Sequence, residues 1–289
     1  MEDTVGVGNN TAENVIGLQH ERCKGIIQEL TIMSDIFMRN VLKQAVCTEL
    51  VLQVIMENKE LHILEHVIQM DYKNLQGRSV ELDCLARDSE DRRYDIEFEN
   101  SNKRAKPKRA RYHGGMIDMN TLEPGQEFES LPETYVIWIT EKDVLKENQP
   151  IYYINRKIEG IEKHFPDAEH IIYVNSQIQD DTALGRLMHD FHCKNADDMY
   201  YEVLAERVRE LKETPKGVAE MCKELEELYA DGRAEGKAEG KAEGRTEGIG
   251  DSIKALMGNV KCTLEQAMDM LGIAVDSRDI YRKMLQNNK

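Results

Sequence analysis

The 289-residue sequence contains no apolar run approaching the roughly 20 residues that a membrane-spanning helix needs. The opening MEDTVGVGNNTAEN has neither the basic start nor the apolar stretch of a signal peptide, so a cytoplasmic location is expected. No CxxC pair occurs. Cys23, Cys47, Cys84, Cys193, Cys222 and Cys262 are scattered, which argues against a disulfide framework or a cysteine zinc site and for reduced thiols. Positive charge is also in short supply: 38 Lys and Arg against 54 Asp and Glu leave a net charge of −16. Any nucleic-acid role therefore needs a local basic patch.

A mixed α/β domain with appendages is expected from the pattern along the chain. Residues 1–28 are polar and rich in Gly and Asn, a loose N-terminal tail. Helical spacing runs from Ser34 to about Lys59, followed by ELHILEHVIQMDY, either a short helix or an extended stretch. TYVIWIT (134–140) is a continuous apolar run and is expected as a buried central strand, with IYYINRKI (151–158) and HIIYVN (170–175) as further strands. Helix returns from Leu184 to Glu213, and Thr214–Pro215 has the character of an N-cap and first helical position. Residues 214–250 hold a helix with Val218, Met221, Leu225 and Leu228 on one seam, then the repeat GRAEGKAEGKAEGRTEG. Its glycines each cost a helix about 1 kcal/mol relative to alanine, so a solvated linker or a weak helix is expected. Residues 251–289 form a small helical module. Thr263 and Gln266 fit a capping box, Gly272 a helix stop, and a basic second helix from Ser277 resembles a helix-turn-helix, with capping or self-association through these helices the plainer expectation.

The chemistry concentrates in ELDCLARDSEDRRYDIEFEN (81–100). Folded as a hairpin about Glu90, it sets Asp83 opposite Glu97 and Glu81 opposite Glu99. Alternation puts Val80, Leu82, Cys84, Tyr94, Ile96 and Phe98 on one face and Glu81, Asp83, Asp95, Glu97 and Glu99 on the other. Two carboxylates about 5 Å apart at an effective dielectric of about 20 repel by roughly 3 kcal/mol. That is large against a domain stability of about 5–15 kcal/mol, so solvent, bases, shared protons or a metal ion must relieve it. Glu49 is a further candidate. It lies among Leu42, Ala45, Val46, Leu52 and Met56, away from the polar positions Asn40, Lys43, Gln44 and Thr48, and either reaches water or points at the hairpin.

After the hairpin come Lys103, Arg104, Lys106, Lys108, Arg109 and Arg111, with Arg109, Tyr112 and His113 near one helical face. Carboxylates for a divalent ion beside cations for phosphates are what phosphodiester hydrolysis requires. Neutralising the hairpin is the simpler task for the same cations. His62-Ile-Leu-Glu65-His66 matches the HxxEH zinc-peptidase pattern, but no third ligand follows. His189 and His192 are expected as partly buried helix residues.

The helix with Glu49, the strand with Asp83, YDIEFE and PKRARYHGGMIDMNTL, together with FMRNVL, KNLQGRS, LPETYVIWIT, PIYYINRK, HIIYVN and GRLMHDFHCKNADDMY, resemble the PD-(D/E)XK nuclease family transposases, a group of recombination-promoting nucleases. The resemblance runs from about Ile32 to Glu213. It implies a restriction-endonuclease-like core over residues 29–213, with a mixed central sheet flanked by helices, and a helical C-terminal tail. It implies a Mg²⁺- or Mn²⁺-dependent DNA endonuclease in which Asp83 and Glu97 bind the metal and Glu49 is the first-helix acid. Lys106, Lys108, Arg109, Arg111 and Tyr112 would hold DNA phosphates. Glu99 stands where the group has Lys or Gln, which leaves two readings, an active nuclease or a catalytically degenerate DNA-binding or regulatory relative.

Overall fold

The computed structural model describes residues 21–101 and 104–286. Lys103 lies outside them. The chain divides into two units, residues 1–225 and 226–289.

The first unit is mixed α/β. Residues 21–29 form α1, followed by α2 (Asp35–Leu42), α3 (Ala45–Ile55), β1 (Ile63–Tyr72), β2 (Val80–Asp88), β3 (Arg93–Glu99), α4 (Pro107–Thr121) and β4 (Thr134–Thr140). Then come β5 (Ile151–Ile154), β6 (Lys157–Ile158), β7 (Lys163–His164), β8 (Glu169–Asn175), α5 (Ala183–His192), α6 (Glu202–Glu213) and the first turns of α7 (Pro215–Val260). Six strands form one sheet in the order β1-β2-β3-β4-β8-β5. β3–β4 and β4–β8 pair in parallel and the other three pairs are antiparallel. β4 runs through the middle with Val136, Ile137, Trp138 and Ile139 all buried, as its unbroken apolar run requires.

Two cores lie on the two sheet faces. One joins α1, α2, α3, α5, α6 and early α7 to Cys84, Ile96, Ile137, Ile139 and Val174. The other sets Ala110 and Ile117 of α4 on Leu85, Val136, Trp138 and Tyr173.

Several expectations are corrected. The helix expected over 34–59 is two helices broken at Lys43–Gln44. Asn40 and Thr48, expected on a polar face, are fully buried. Thr48 Oγ1 donates to Leu42 O, and Asn40 Nδ2 donates to Ile36 O and to Glu224 of α7. Of the two readings of ELHILEHVIQMDY the extended one holds, with β1 from Ile63, so His62 and His66 lack the helical spacing of a zinc peptidase. His62 instead meets Glu49, and His66 meets Lys43 O. IYYINRKI is not one strand: β5 ends at Ile154 and Lys157 enters the separate two-stranded β6–β7 ribbon. Cys23 and Cys222 form a disulfide, whereas Cys47, Cys84, Cys193 and Cys262 are free.

The start of α7 follows the sequence closely. Thr214 Oγ1 accepts from Gly217 N, and Val218, Met221 and Leu225 are buried while Leu228 is exposed. The Gly/Glu repeat is helical and solvent-facing. Nucleation is the expensive step in helix formation, and residues packed at both ends of α7 supply it.

In the second unit, Ile253 of α7 packs with Ala267 and Met268 of α8 (Leu264–Met270) and Tyr281 of α9 (Arg278–Gln286). The Thr263/Gln266 capping box is formed, and Gly272 stops the helix at φ +65°. Arg278 pairs with Asp269 at 2.6 Å and Arg282 with Glu265 at 2.7 Å, so the arginines that suggested a DNA-reading helix are engaged within the unit.

Candidate metal centre and basic cleft

The site begins with register. Asp95 and Glu97 of β3 lie beside Val136 and Trp138 of β4, and those positions face α4. α4 starts at Pro107, where a missing N–H is harmless and φ is already helical, with Lys106 as N-cap. One and two turns on, Arg109 and His113 occupy successive turns of one helix face. That face lies over Trp138: Arg109 Cζ is 5.3 Å from its ring centroid, and the His113 ring is 5.3 Å away.

Arg109 Nε donates to His113 Nε2 at 3.1 Å. Nε2 is thus an acceptor, which assigns the imidazole proton to Nδ1. Nδ1 meets Asp95 Oδ2 at 3.0 Å and Glu97 Oε1 at 3.7 Å, and Arg109 Nη2 lies 3.8 Å from Glu97 Oε2. Asp95 and His113 are 0% exposed and Glu97 is 2% exposed.

Asp83 joins through a break in the sheet. β1 and β2 pair as Ile68↔Cys84 and Met70↔Leu82, and between them Gln69 takes a positive φ of 56°. The β2–β3 ladder stops at Cys84↔Ile96. Beyond it, side chains replace backbone partners: Phe98 N donates to Asp83 Oδ2 at 2.9 Å, and Asp83 N donates to Glu97 Oε1 at 3.0 Å. The expected opposition of Asp83 and Glu97 is realised as this reciprocal clasp. The expected single apolar face is not. Val80 and Leu82 pack with the α4 core and Cys84 with the other, because the irregularity at Gln69 and Asp83 shifts the alternation.

Burial dominates the electrostatics. It pushes Asp83 up to about 6, against the pull of the Phe98 N–H and Arg109. Burial, then the neighbouring carboxylates, raises Glu97 well above the ordinary range, and burial with the Asp83 charge does the same to Asp95. Burial likewise lowers His113. Three acids are therefore held where ionisation is unfavourable without a cation. Asp95 Oδ1 is buried with no hydrogen-bond partner. Ligand atoms of Asp95, Glu97 and His113 all lie within 4.8 Å of one another. An unpaired buried oxygen inside such a set fits a divalent ion. Both His113 nitrogens are engaged, Nδ1 with Asp95 and Nε2 with Arg109, so the donors open to an ion are carboxylate oxygens, which suit Mg²⁺ or Mn²⁺.

Glu49 does not point at this cluster. Its Oε2 accepts from Ile63 N at 3.0 Å and its Oε1 faces His62 Nδ1 at 3.3 Å, so it staples α3 to the start of β1. Glu99 is buried, with Oε1 accepting from Ser101 N and Oγ. Glu81 is exposed and accepts from Gln69. Neither a ligand role for Asp95 nor the place of His113 beside it came from sequence alone. The available signal was the i,i+4 pair Arg109/His113 following an i,i+2 acid pair.

Beside the cluster is a cleft of about 690 Å³ lined by Arg78, Arg104, Lys106, Lys108, Arg109 and Tyr112, with Ser79, Val80 and Glu81. Tyr112 Oη donates to Arg78 O at 2.6 Å and tethers α4 to the β1–β2 loop. Arg111 is exposed outside that lining. Among the described residues, Lys106, Lys108 and Arg111 make no ion pair, and of the basic run's described residues Arg109 alone pairs with a hairpin acid, Glu97.

Compared with known proteins, the chain matches no family model, no curated protein and no solved structure.

Proposed function

We propose that the chain is a divalent-metal-dependent DNA endonuclease with a restriction-endonuclease-like core, of the kind it resembles in sequence. One observation carries this reading: a buried, under-neutralised carboxylate cluster shares Arg109 with a cleft of unpaired cations. Asp95 and Glu97 would hold the ion with His113 braced behind Asp95, and Asp83, partly buried at the rim, is the acid nearest solvent. A bound divalent ion supplies Lewis-acid stabilisation of phosphate charge and a lowered pKa for its water.

The chain's own residues do the rest. Lys106, Lys108 and Tyr112 receive the phosphodiester backbone in the cleft. Arg109, held by Trp138 and His113, reaches from the cleft toward Glu97 and is placed to stabilise phosphate charge. His113 keeps Asp95 oriented through its Nδ1 proton. The clasp between Asp83 and Glu97 fixes both carboxylates to the backbone.

Supercoiled plasmid incubated with the chain and Mn²⁺ or Mg²⁺ should be nicked. Chelation should stop the reaction, and Glu97→Gln should slow it by about 100-fold or more, the scale of losing one charge-stabilising group. A degenerate DNA-binding relative is the second reading, favoured by Glu99 in place of Lys or Gln. It predicts DNA retention in the cleft with no nicking under any divalent ion. Failure of both retention and nicking would remove the nucleic-acid reading.

A further inference from the structure

The last turn of α5 and the segment after it, HDFHCKNADDMY, hold a second cluster that the nuclease reading does not use. α5 belongs to the layer opposite α4, packed through Leu187, Met188 and Phe191. His189, Asp190 and Cys193 place one nitrogen, one oxygen and one sulfur within 4.8 Å of one another. His189 and Cys193 line a cavity of about 690 Å³ together with His192, Asp197, Asp198 and Tyr200, and Asp190 lies buried behind them.

We propose that His189, Asp190 and Cys193 form a zinc(II) site. Helical spacing brings His189 and Cys193 together at i,i+4 across the helix end. His189 Nδ1 is 3.4 Å from Cys193 Sγ, while Nε2 is 3.9 Å away, so Nδ1 is the ligand nitrogen. His189 Nδ1 is also 3.3 Å from Asp190 Oδ1. A tetrahedral zinc with bonds of about 2.3 Å to sulfur and about 2.05 Å to nitrogen and oxygen has edges of about 3.5 Å for N–S and about 3.3 Å for N–O. The two separations match those edges.

The surroundings hold the set in place. The His189 ring stands edge-on to Tyr200 at 4.9 Å between centroids. Asp190 is 0% exposed, and its oxygens accept from Tyr200 N and Tyr201 N, both at 2.8 Å. A carboxylate anchored by backbone donors has its direction set before an ion arrives. The mixed N, O and S donors favour zinc over Mg²⁺ or Ca²⁺, which take oxygen alone. Three protein ligands leave the fourth position facing the cavity, for water or an incoming donor. Binding converts the Cys193 thiol to thiolate, and its proton passes to the buffer.

Cobalt(II) is the probe, because thiolate ligation gives it a charge-transfer band in the near ultraviolet and tetrahedral geometry intensifies its visible bands. The full chain, titrated with Co²⁺ alone, should develop both sets of bands at about one ion per chain, and Zn²⁺ should displace them. Cys193→Ser should lose the charge-transfer band, and His189→Gln should weaken Co²⁺ affinity by about 100-fold, the upper range for losing even an outer partner. Glu97→Gln should keep the band, which separates this site from the carboxylate cluster on α4. Both α5 variants replace partly exposed side chains and leave the Asp190 anchors to Tyr200 and Tyr201 intact. Overturning results are a band that persists in Cys193→Ser, or no thiolate band in the parent chain with Cys193 titrating as a free thiol.

Discussion

Asp88 shows how much one carboxylate can hold when its partners are built around it. It is fully buried at the end of β2. Its Oδ1 accepts from Glu90 N and Arg92 N, both at 2.9 Å, and its Oδ2 from Arg92 Nε at 2.6 Å and Tyr94 Oη at 2.8 Å. Burial alone would raise its pKa, but these donors outweigh burial and hold it below 3.8. A depressed folded value means that the stabilisation is complete above 3.8 and is lost as pH falls through the lower folded value. Asp88→Ala should destabilise the first unit by on the order of 3 kcal/mol, since it strands Arg92, Tyr94 and two backbone donors. Asp88→Asn should cost less and flatten the loss of stability below about pH 4. Chemical denaturation of the three proteins between pH 3 and 7 checks both expectations, and parallel acid limbs would show that Asp88 is not the group responsible. Asp83 and Asp95 differ from Asp88 in having fewer donors around them and other carboxylates close by. The same residue type therefore fastens a turn at Asp88 and leaves a cluster wanting a cation at Asp95.

At the scale of elements, α4 divides its labour by face. Ala110 and Ile117 pack on the sheet, Arg109 and His113 turn to the acids, and Lys106 and Lys108 line the cleft. If the cleft receives a nucleic-acid backbone, Lys106→Ala with Lys108→Ala should weaken binding of every DNA sequence alike. Neutralising two phosphate contacts should reduce the slope of log affinity against log salt by about 1.8. Fluorescence anisotropy over a salt series reads this, and an unchanged slope would place the backbone elsewhere. Much of this element was legible in advance. Pro107 and the spacing of Arg109, Tyr112 and His113 already marked a helix with a basic start, and TYVIWIT was consistent with a buried central strand. Three features were not legible, each for a physical reason. β1 alternates as LEHVIQMDY but carries Glu65, His66 and Gln69 in positions that also suit a helix, so periodicity alone left it open. The shift at Gln69 depends on a positive φ in a residue other than glycine, which no pattern signals. Glu49 lies in an apolar stretch, and only the path of the chain into β1 shows that it ends on Ile63 N.

For the whole molecule, the main surprise is covalent. Spacing gave Cys23 and Cys222 no reason to pair, because 199 residues separate them and only the fold brings their Cα atoms to 5.7 Å. The bond ties α1 to α7 within the first unit. Lys212 crosses near the same seam, its Nζ donating to Gln28 O at 3.1 Å, Leu30 O at 2.6 Å and Lys194 O at 2.6 Å. Ile27, next to that segment, is 0% exposed. The native docking of α1 thus rests on burial and on the Lys212 ammonium as well as on sulfur. Reduction should therefore leave the fold intact while freeing the unfolded chain to expand. For a loop of this length the entropy released favours unfolding by about 5 kcal/mol. At about 2–4 °C per kcal/mol for a domain of this size, the melting temperature should fall by about 10–20 °C in dithiothreitol with circular dichroism unchanged before the transition. Cys23→Ser without reductant should melt where the reduced parent melts, and dithiothreitol should not lower it further. The shift should be smaller if the unfolded chain keeps α1 near α7, since the released entropy is then less. A parent chain whose six cysteines all titrate as thiols before reduction, and whose melting does not respond to dithiothreitol, would show that Cys23 and Cys222 are neighbours and not partners.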